Sequence, residues 1–454
     1  MAGPPIETLV IFGAGGDLTS RLLLPGLASL LASSRGQHLH LIGVDRQPVT
    51  DARWRTRVAK AFEASPSALG TAVARESVYL QADATDGDDL KRVLAAAPGR
   101  VALYFAVPPA VAALVCQQLS RLELPKGIVL ALEKPFGTDL DSAKALNRLL
   151  QRFLPEDQIF RVDHFLGKST VLDIIGLRFA NRLFEPLFSS VNVEKVEIVV
   201  EEALGLEGRA GYYDKAGALI DMIQSHLLQI LALIAMEPPS SVDSDDLRGA
   251  MAQVLRATRP WLRNGTASRR ARYTAGKVGR RALPAYASED GVDPSRKTET
   301  LAEMTVSIDT WRWAGVPFIL RSGKAIGDAR QEIILTFRDV PHLPIGFSGP
   351  SRKAQLRIGI VNPGLLSLDV VLNGRGDPFD LEWETLTAEF EASGMTAYGE
   401  VLAELCAGDP TLSVRGDIAE DCWRIVAPVI AAWRKNAVPL DTYPAGTTGP
   451  KSWR

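Results

Sequence analysis

The sequence predicts an α/β plus α+β architecture: a doubly wound parallel sheet followed by a large, mainly antiparallel sheet covered by helices. Three patterns carry that expectation. In the first third, short continuous apolar runs alternate with stretches of helical spacing, as buried parallel strands and their crossover helices require. Past the first third, runs alternate apolar and polar residues without regular helices between them, the habit of half-buried antiparallel strands. A glycine-rich turn, Gly13-Ala14-Gly15-Gly16, joins the first apolar run to the first helical stretch.

Taken in order, Thr8 to Phe12 is the first strand, and Leu23 to Leu31 carries the apolar spacing of the first helix. His38 to Val44, Val78 to Gln81, Val101 to Val107 and Ile128 to Leu132 are strands two to five. In the second part Val193 to Val200 alternates with period two, and Thr305 to Asp309, Glu332 to Arg338, Gln355 to Val361 and Leu366 to Leu372 read similarly. A long helix from Gly217 to Glu237 covers one face of that sheet. The seam between the two parts falls near residues 155–165.

Composition narrows the function classes. Fifty-one basic and 53 acidic residues leave a net charge of −2, too little positive charge for nucleic acid to be the main partner. Hydrophobic residues make up 46% and charged residues 23%, which excludes disorder and collagen-like structure as the dominant state. Cys116, Cys406 and Cys422 are too scattered for a disulfide framework or a zinc set, so no metal is expected. The N-terminal apolar run has no basic segment before it and reads as a strand, not a signal peptide. The most apolar stretch, Ala218 to Met236, is broken by Asp221, Gln224, Ser225, His226 and Gln229. An Asp at the centre of a lipid bilayer costs about 2.5–3.5 kcal/mol, so no membrane partner is expected and the chain reads as cytoplasmic. From Leu247 to Ser288 there are ten Arg or Lys and no acid. That run is either a dock for an anionic partner or, as charge runs usually are, a solvated helix and loop.

The glycine turn sits where strand meets helix. Glycines let the backbone approach a pyrophosphate, and the helix start offers unpaired N–H groups. The fingerprint of such turns wants a third glycine at position 18, where this chain has Leu18. With Gly13, Gly16, Asp17 and Leu18 in a strand–turn–helix context, the turn predicts a Rossmann-like dinucleotide site. The second strand ends in Asp45-Arg46. An acid there accepts from ribose hydroxyls and favours NAD, whereas an Arg pairs with a 2′-phosphate and favours NADP, so charge alone leaves the choice open. Pro108 and Pro109 close the fourth strand in a rigid loop at the carboxyl edge of the sheet.

Three constellations can carry chemistry. Glu133-Lys134-Pro135-Phe136-Gly137 ends the fifth strand. A Lys before Pro is held extended, and a cis bond is possible there, although Lys-Pro also opens many ordinary loops. In Arg161-Val162-Asp163-His164-Phe165-Leu166-Gly167-Lys168, a helix starting near Asp163 places His164 and Lys168 on one face as an anion site. The plain alternative is an N-cap followed by a surface Lys. Within the apolar Leu219 to His226 stretch lie Asp221 and His226, and imidazole is the natural base for a hydroxyl proton near pH 7. A satisfied core histidine is the competing reading.

At this point the motifs resemble a known family. GxxGDL (Gly13, Gly16 to Leu18), EKPFG, RVDHFLGK, LRFANRLFEP, LEGRAGYYD, DMIQSHLLQ, GVPFILRSGKAI and, near the end, WRIV and GTTGP occur in the order found in glucose-6-phosphate dehydrogenases. The resemblance implies oxidation of glucose 6-phosphate to 6-phospho-D-glucono-1,5-lactone, the first step of the oxidative pentose phosphate pathway. It implies His226 as general base and Asp163 as its orienting carboxylate. His164 and Lys168 hold the phosphate, Glu202, Asp221 and Lys324 contact the sugar, and Lys134 contacts sugar and cofactor. Gly13, Gly16, Asp17, Leu18, Asp45, Arg46 and Pro108 complete the cofactor set, with Arg46 meeting the 2′-phosphate of NADP. The resemblance gives Asp221 to the substrate rather than to His226, and five residues along an α-helix would turn it about 140° away from His226.

Domains follow as 1–162, dinucleotide-binding, and 163–454, substrate-binding and dimerisation, with a homodimer or dimer of dimers implied. Four positions depart from the family pattern. Leu22 stands where many NADP-preferring relatives have Lys, and Asp45 where the residue is usually uncharged; both raise the prospect of NAD or dual use. Phe165 replaces a frequent Tyr and Ser169 a frequent Glu, which lowers the expected hold on the phosphate. Two rivals stay open: a sugar dehydrogenase of the glucose–fructose oxidoreductase type, and a catalytically idle paralogue acting as a sensor or binding partner.

Overall fold

The computed structural model describes residues 4–349, 352–361, 363–391 and 393–453. The chain divides into two compact units. The first comprises 1–172, 239–252 and 393–423, and the second 173–238, 253–392 and 424–454.

The first unit is built on six parallel strands, β1 (Thr8–Phe12), β2 (His40–Asp45), β3 (Val78–Gln81), β4 (Val101–Phe105), β5 (Val129–Glu133) and β6 (Ile159–Val162), in the order β3-β2-β1-β4-β5-β6. Strands β1 and β4 are buried throughout, which is why they read as unbroken apolar runs. The order reverses between β1 and β4, the place where such sheets bind ligands beyond the strand ends. Crossover helices close the faces, several with side-chain caps: Thr50 caps Asp51–Phe62, Ser67 caps Ala68–Glu76 and Asp139 makes a capping box on Leu140–Leu150.

Strand β6 was not expected from the sequence. Its Ile-Phe-Arg-Val run is interrupted by Arg161, which is fully buried. Arg161 is satisfied by Asn147 Oδ1 at 2.8 Å and Glu156 Oε1 at 2.7 Å. The compact unit also extends past the sheet. Helix Ala397–Ala407 packs on helix Thr19–Ala32, and a Cβ on Gly26 would sit 2.7 Å from Tyr398 Cβ.

The second unit holds a large mixed sheet. Its strands are β7 (Val193–Glu201), β8 (Thr258–Pro260), β9 (Ser268–Thr274), β12 (Leu301–Ile308), β13 (Phe318–Gly323), β14 (Gln331–Phe337), β15 (Gln355–Gly359), β16 (Gly364–Asn373), β17 (Leu381–Phe390) and β18 (Leu440–Pro444), with β10 (Gly276–Val278) and β11 (Arg281–Leu283) as a separate hairpin. The path is β17-β16-β15-β14-β7-β13-β12-β9-β18, and β8 pairs with β12. Pairing is antiparallel except for β7–β13 and β9–β18. Strands β13 and β17 escaped the sequence reading. The first carries Arg321 and Ser322 in its apolar run, and the second is solvent-exposed along most of its length.

The long helix runs from Ala210 to Ala235 and is kinked at Gly217, whose φ of 66° suits glycine. From Leu219 to Leu227 it is a π-helix. It is long and apolar enough to cross a membrane, but 89% of its most apolar window is buried, the condition of a core helix. It packs against β7, β12 and β13.

The basic run of 247–288 is neither a single patch nor a purely solvated face. Arg248 is buried and bonds to Ser244 O, Arg269 pairs with Glu303, Arg259 with Asp309 and Arg281 with Glu207. For those three pairs the acid comes from another segment of the chain.

Ile198 lies fully buried in β7 between Leu320 of β13 and Ile333 of β14. Ile198→Ala should cost about 2–5 kcal/mol in chemical denaturation. A loss under about 1 kcal/mol would mean that the sheet centre repacks.

Candidate active site

In the first unit the site is laid out along the carboxyl ends of the strands. Gly13 follows β1 with φ 82°, and a Cβ there would lie 2.2 Å from Ala106 O. Only glycine fits, and the close approach brings the turn against the chain that leads to Pro108, the residue preceding helix Pro109–Leu119. Gly13 and Ala14 donate to Val44 O, which ties the turn to β2.

Asp45 completes the turn from β2: its Oδ2 accepts from Gly15 N–H at 2.9 Å. The carboxylate read as a ribose contact therefore already holds one glycine N–H. Arg46 beside it is exposed, and Arg57, from helix Asp51–Phe62, donates to Ala14 O at 3.0 Å. Leu22 is 45% exposed, and the neighbouring Arg21 is paired with Asp17 at 3.2 Å. The turn fits a pyrophosphate: Gly15 is exposed, no Cβ stands over it, and the helix beginning at Asp17 and Leu18 has first-turn N–H groups without intrahelical partners.

At the end of β5, Glu133 is half-buried and accepts from Tyr104 Oη at 2.5 Å. Burial lifts its pKa to about 7, against the lowering effect of the Tyr104 hydroxyl, Lys134 and Tyr398. The next peptide, Lys134–Pro135, is cis. Phe136 O accepts from Trp423 Nε1 at 3.0 Å, which fixes the loop after Lys134.

Residues Asp163 to Lys168 do not begin a helix. They form successive tight turns, with Leu166, Gly167 and Lys168 N–H groups bonded to the carbonyls three residues back, and the helix starts at Ser169. His164 and Lys168 therefore do not share a face by α-helical spacing; Phe165 brings them together instead. Lys168 Nζ lies 3.9 Å from the Phe165 ring centroid, and the His164 ring meets the same ring edge-on at 5.1 Å. Tyr398 stacks on the other side of His164, centroids 5.5 Å apart and 9° from parallel. A cation over an aromatic face gains about 0.5–2 kcal/mol, so the Phe that lacks the family's hydroxyl still places both groups. Asp163 is fully buried, and its Oδ1 accepts from Phe165 N–H at 3.0 Å. Ser169 Oγ accepts from Ser393 N–H at 3.2 Å.

In the second unit, Asp221 and His226 are 8% and 1% exposed within the π-helical stretch. The α-helical argument that set them about 140° apart fails here. A π-helix closes its hydrogen-bonded ring over five residues, so positions 221 and 226 lie on one face. Lys324 and Glu202, from the ends of β13 and β7, form an ion pair. The Lys324 ammonium is 5.1 Å from the centroid of Tyr213, and Tyr443 Oη donates to Lys324 O at 2.7 Å. Tyr213 is buried with no hydrogen-bond partner for its hydroxyl, and burial together with Asp221 and Glu299 holds its pKa well above the usual phenol value.

Tyr104, Tyr398, Tyr213 and Arg57 were not singled out by sequence. Tyr398 in particular comes from more than two hundred residues beyond His164, and no local pattern signals it.

Comparison with known proteins follows from this geometry. The family model described as "Glucose-6-phosphate dehydrogenase, NAD binding domain" matches residues 10–173, and "Glucose-6-phosphate dehydrogenase, C-terminal domain" matches 175–454. Glucose-6-phosphate 1-dehydrogenase of Gluconobacter oxydans (strain 621H) is 39% identical, with 97% of this chain and 94% of that protein covered. The Treponema pallidum (strain Nichols) protein of the same name is 37% identical, covering 98% and 92%. Among solved structures, glucose-6-phosphate 1-dehydrogenase from Mycobacterium avium has a TM-score of 0.87 at 32% identity, covering 99% of this chain and 96% of that one. A glucose-6-phosphate dehydrogenase in complex with its substrate glucose-6-phosphate has a TM-score of 0.89 at 27% identity, covering 100% and 97%.

The state of Glu133 gives a pH prediction. Its ordinary value of 4.5 applies in the unfolded chain and about 7 in the folded one, so folding takes up a proton between them. The stability this contributes is full below the unfolded value and is lost as pH rises through about 7. Glu133→Gln keeps an acceptor for Tyr104 and cannot ionise. Its melting temperature should decline less than the parent's from about pH 5 to about pH 8; equal declines would place the titration elsewhere.

Proposed function

The chain belongs to the glucose-6-phosphate dehydrogenase family, and we propose from that membership that it oxidises glucose 6-phosphate to 6-phospho-D-glucono-1,5-lactone. The observation that carries the sugar-phosphate reading is the bracing of His164 and Lys168 on Phe165, an imidazole and an ammonium side by side that a dehydrogenase of unphosphorylated sugars does not need. A bound nicotinamide dinucleotide supplies the hydride acceptor, and Gly13, Gly16, Asp17, Leu18, Asp45, Arg46, Pro108 and Lys134 would hold it.

The chain's own residues do the rest. A hydride leaves the sugar C1 only as the C1 hydroxyl gives up its proton, and His226 takes that proton at an imidazole nitrogen. Asp163 orients the ring and stabilises its charged form. His164 and Lys168 grip the phosphate and fix the far end of the sugar. Glu202, Asp221 and Lys324 align its hydroxyls, and Lys134 sits between sugar and cofactor. Holding both ends of the hexose converts an encounter into a positioned reaction.

The finer cofactor reading is NADP, with NAD or dual use open to the enzyme. Arg46 and Arg57 beside the turn support the phosphorylated cofactor, and the bond from Gly15 N–H to Asp45 engages the charge that would repel it. The finer assembly reading is a homodimer built on the second unit's sheet. Its ten-residue edge strand β17 is largely exposed, with Leu386 57% and nearby Phe379 59% exposed. An unpaired edge of that length invites a partner.

The direct experiment is initial rates with glucose 6-phosphate, and with glucose, using NAD and NADP side by side; turnover of glucose alone would overturn the reading. His226→Asn should lower kcat by about 10²-fold or more with KM nearly unchanged, while Lys168→Ala should mainly raise KM for the sugar phosphate. A fall in kcat below about tenfold would remove His226 as the base. Asp45→Ala should raise the NADP-to-NAD ratio of kcat/KM about tenfold, equivalent to about 1.4 kcal/mol. A ratio that stays put would show that the carboxylate does not face the 2′ position.

A further inference from the structure

Lys215, Arg270, Arg296, Lys297 and Arg434 come from separate segments of the second unit and line one cleft of about 470 Å³. That volume lies within the range of small-molecule sites. The two acids in the cleft are already engaged. Asp214 accepts from Tyr286 Oη at 2.9 Å and from Asp293 N–H at 3.0 Å, and it lies 3.5 Å from Arg296 Nε. Glu299 Oε1 accepts from Leu219 N–H at 3.0 Å.

The cations are less engaged. Among the described residues, Lys215 and Arg434 are exposed and have no acidic partner. Among the described residues, Lys297 meets only the Asn436 amide oxygen, at 3.3 Å. Arg270 is 5% exposed and forms the built floor: it gives Nε and Nη2 to Val438 O and Nη2 to Trp433 O. Its Nη1 takes no protein acceptor among the described residues. Arg296 is answered by Asp214 and by Asp293, 3.3 Å from its Nε, but gathering the other four cations around a concave surface is unfavourable by mutual repulsion unless an anion answers them. Guanidinium forks and ammonium groups together match phosphate oxygens.

The cleft also touches the catalytic helix. Leu219 and Ile220 form part of its wall and begin the π-helical stretch that carries Asp221 and His226. Glu299 lines the cleft and holds the same helix start through Leu219, while its backbone carbonyl accepts from Ala218 N–H at 3.3 Å. We propose that this cleft binds a small anion carrying two or more phosphate groups, and that its occupancy is transmitted to the helix bearing His226. The binding stands on the cleft alone; the transmission rests on the dehydrogenase reading above.

Isothermal titration of the full chain with tripolyphosphate, in saturating glucose 6-phosphate so that the catalytic phosphate position is filled, measures the binding. A parallel titration with ATP separates a free polyphosphate from a nucleotide. Both probes, or ATP alone, should bind the parent protein, and Lys215→Glu/Arg434→Glu should weaken binding at least about tenfold. The double variant should keep the parent KM for sugar phosphate and coenzyme when no probe is present. No binding of either probe, or binding that the double variant leaves intact, overturns the site. Tripolyphosphate or ATP should also change kcat of the parent at least about twofold and leave the double variant's kcat alone; binding without that response overturns the transmission. A parent protein that binds the probe yet never oxidises glucose 6-phosphate overturns the dehydrogenase reading while confirming the cleft.

Discussion

The burial of the helix Ala210–Ala235 against the second unit's sheet is the constraint on which the rest depends. Leu219, Ile223, Leu227, Leu228, Ile230, Leu231 and Ile234 are at most 1% exposed, so the helix has no freedom to roll. Buried among them are Asp221, Gln224, Ser225, His226 and Gln229, groups whose desolvation is unfavourable unless each is hydrogen-bonded or meets a ligand. A packed helix therefore turns the polar positions into fixed points. The π-helical turns set which of those points coincide, because they align residues five apart. An ordinary α-helix would spread Asp221 and His226 over different faces; here they share one.

The first unit uses the same physics with different chemistry. Glu133 is half-buried against Tyr104 and Tyr398, and loss of water around its carboxyl raises its pKa to about 7. The Phe165 ring draws His164 and Lys168 together, and Tyr398 stacks on His164. An aromatic face orients an ammonium such as that of Lys168 through the quadrupole of the ring.

How much of this was legible depended on how local the determinant is. Thr8–Phe12 was read to the residue because a strand buried on both faces needs an unbroken apolar run. Ile159–Val162 was missed because Arg161 breaks its run, and the partners that make the arginine tolerable, Asn147 and Glu156, lie outside the strand. The helix expected from Asp163 failed for a related reason. Capping chemistry is present in the Asp163 to Phe165 bond, yet tight turns use the same bond, and sequence alone does not separate them. The π-helical register, Tyr398 beneath His164 and Glu299 at the helix start all depend on distant segments. None has a pattern in the sequence around it.

Basic residues show most clearly why position in sequence is a poor guide to role. The run between Leu247 and Ser288 draws the eye by density, yet Arg259, Arg269 and Arg281 are each matched to an acid elsewhere and act as struts. Arg270, from the same run, is different: carbonyls hold it in place without neutralising its charge, and it faces a cleft shared with Lys215, Lys297 and Arg434 from remote segments. A guanidinium bound to carbonyl oxygens keeps its full charge, because those acceptors are dipoles rather than anions. Buried and positioned, such a group exerts a stronger field than a solvated lysine, since less water screens it. What separates a strut from a binding group is therefore whether the acceptors around a cation are themselves charged, and that is decided by the fold, not by how many cations stand together in the chain.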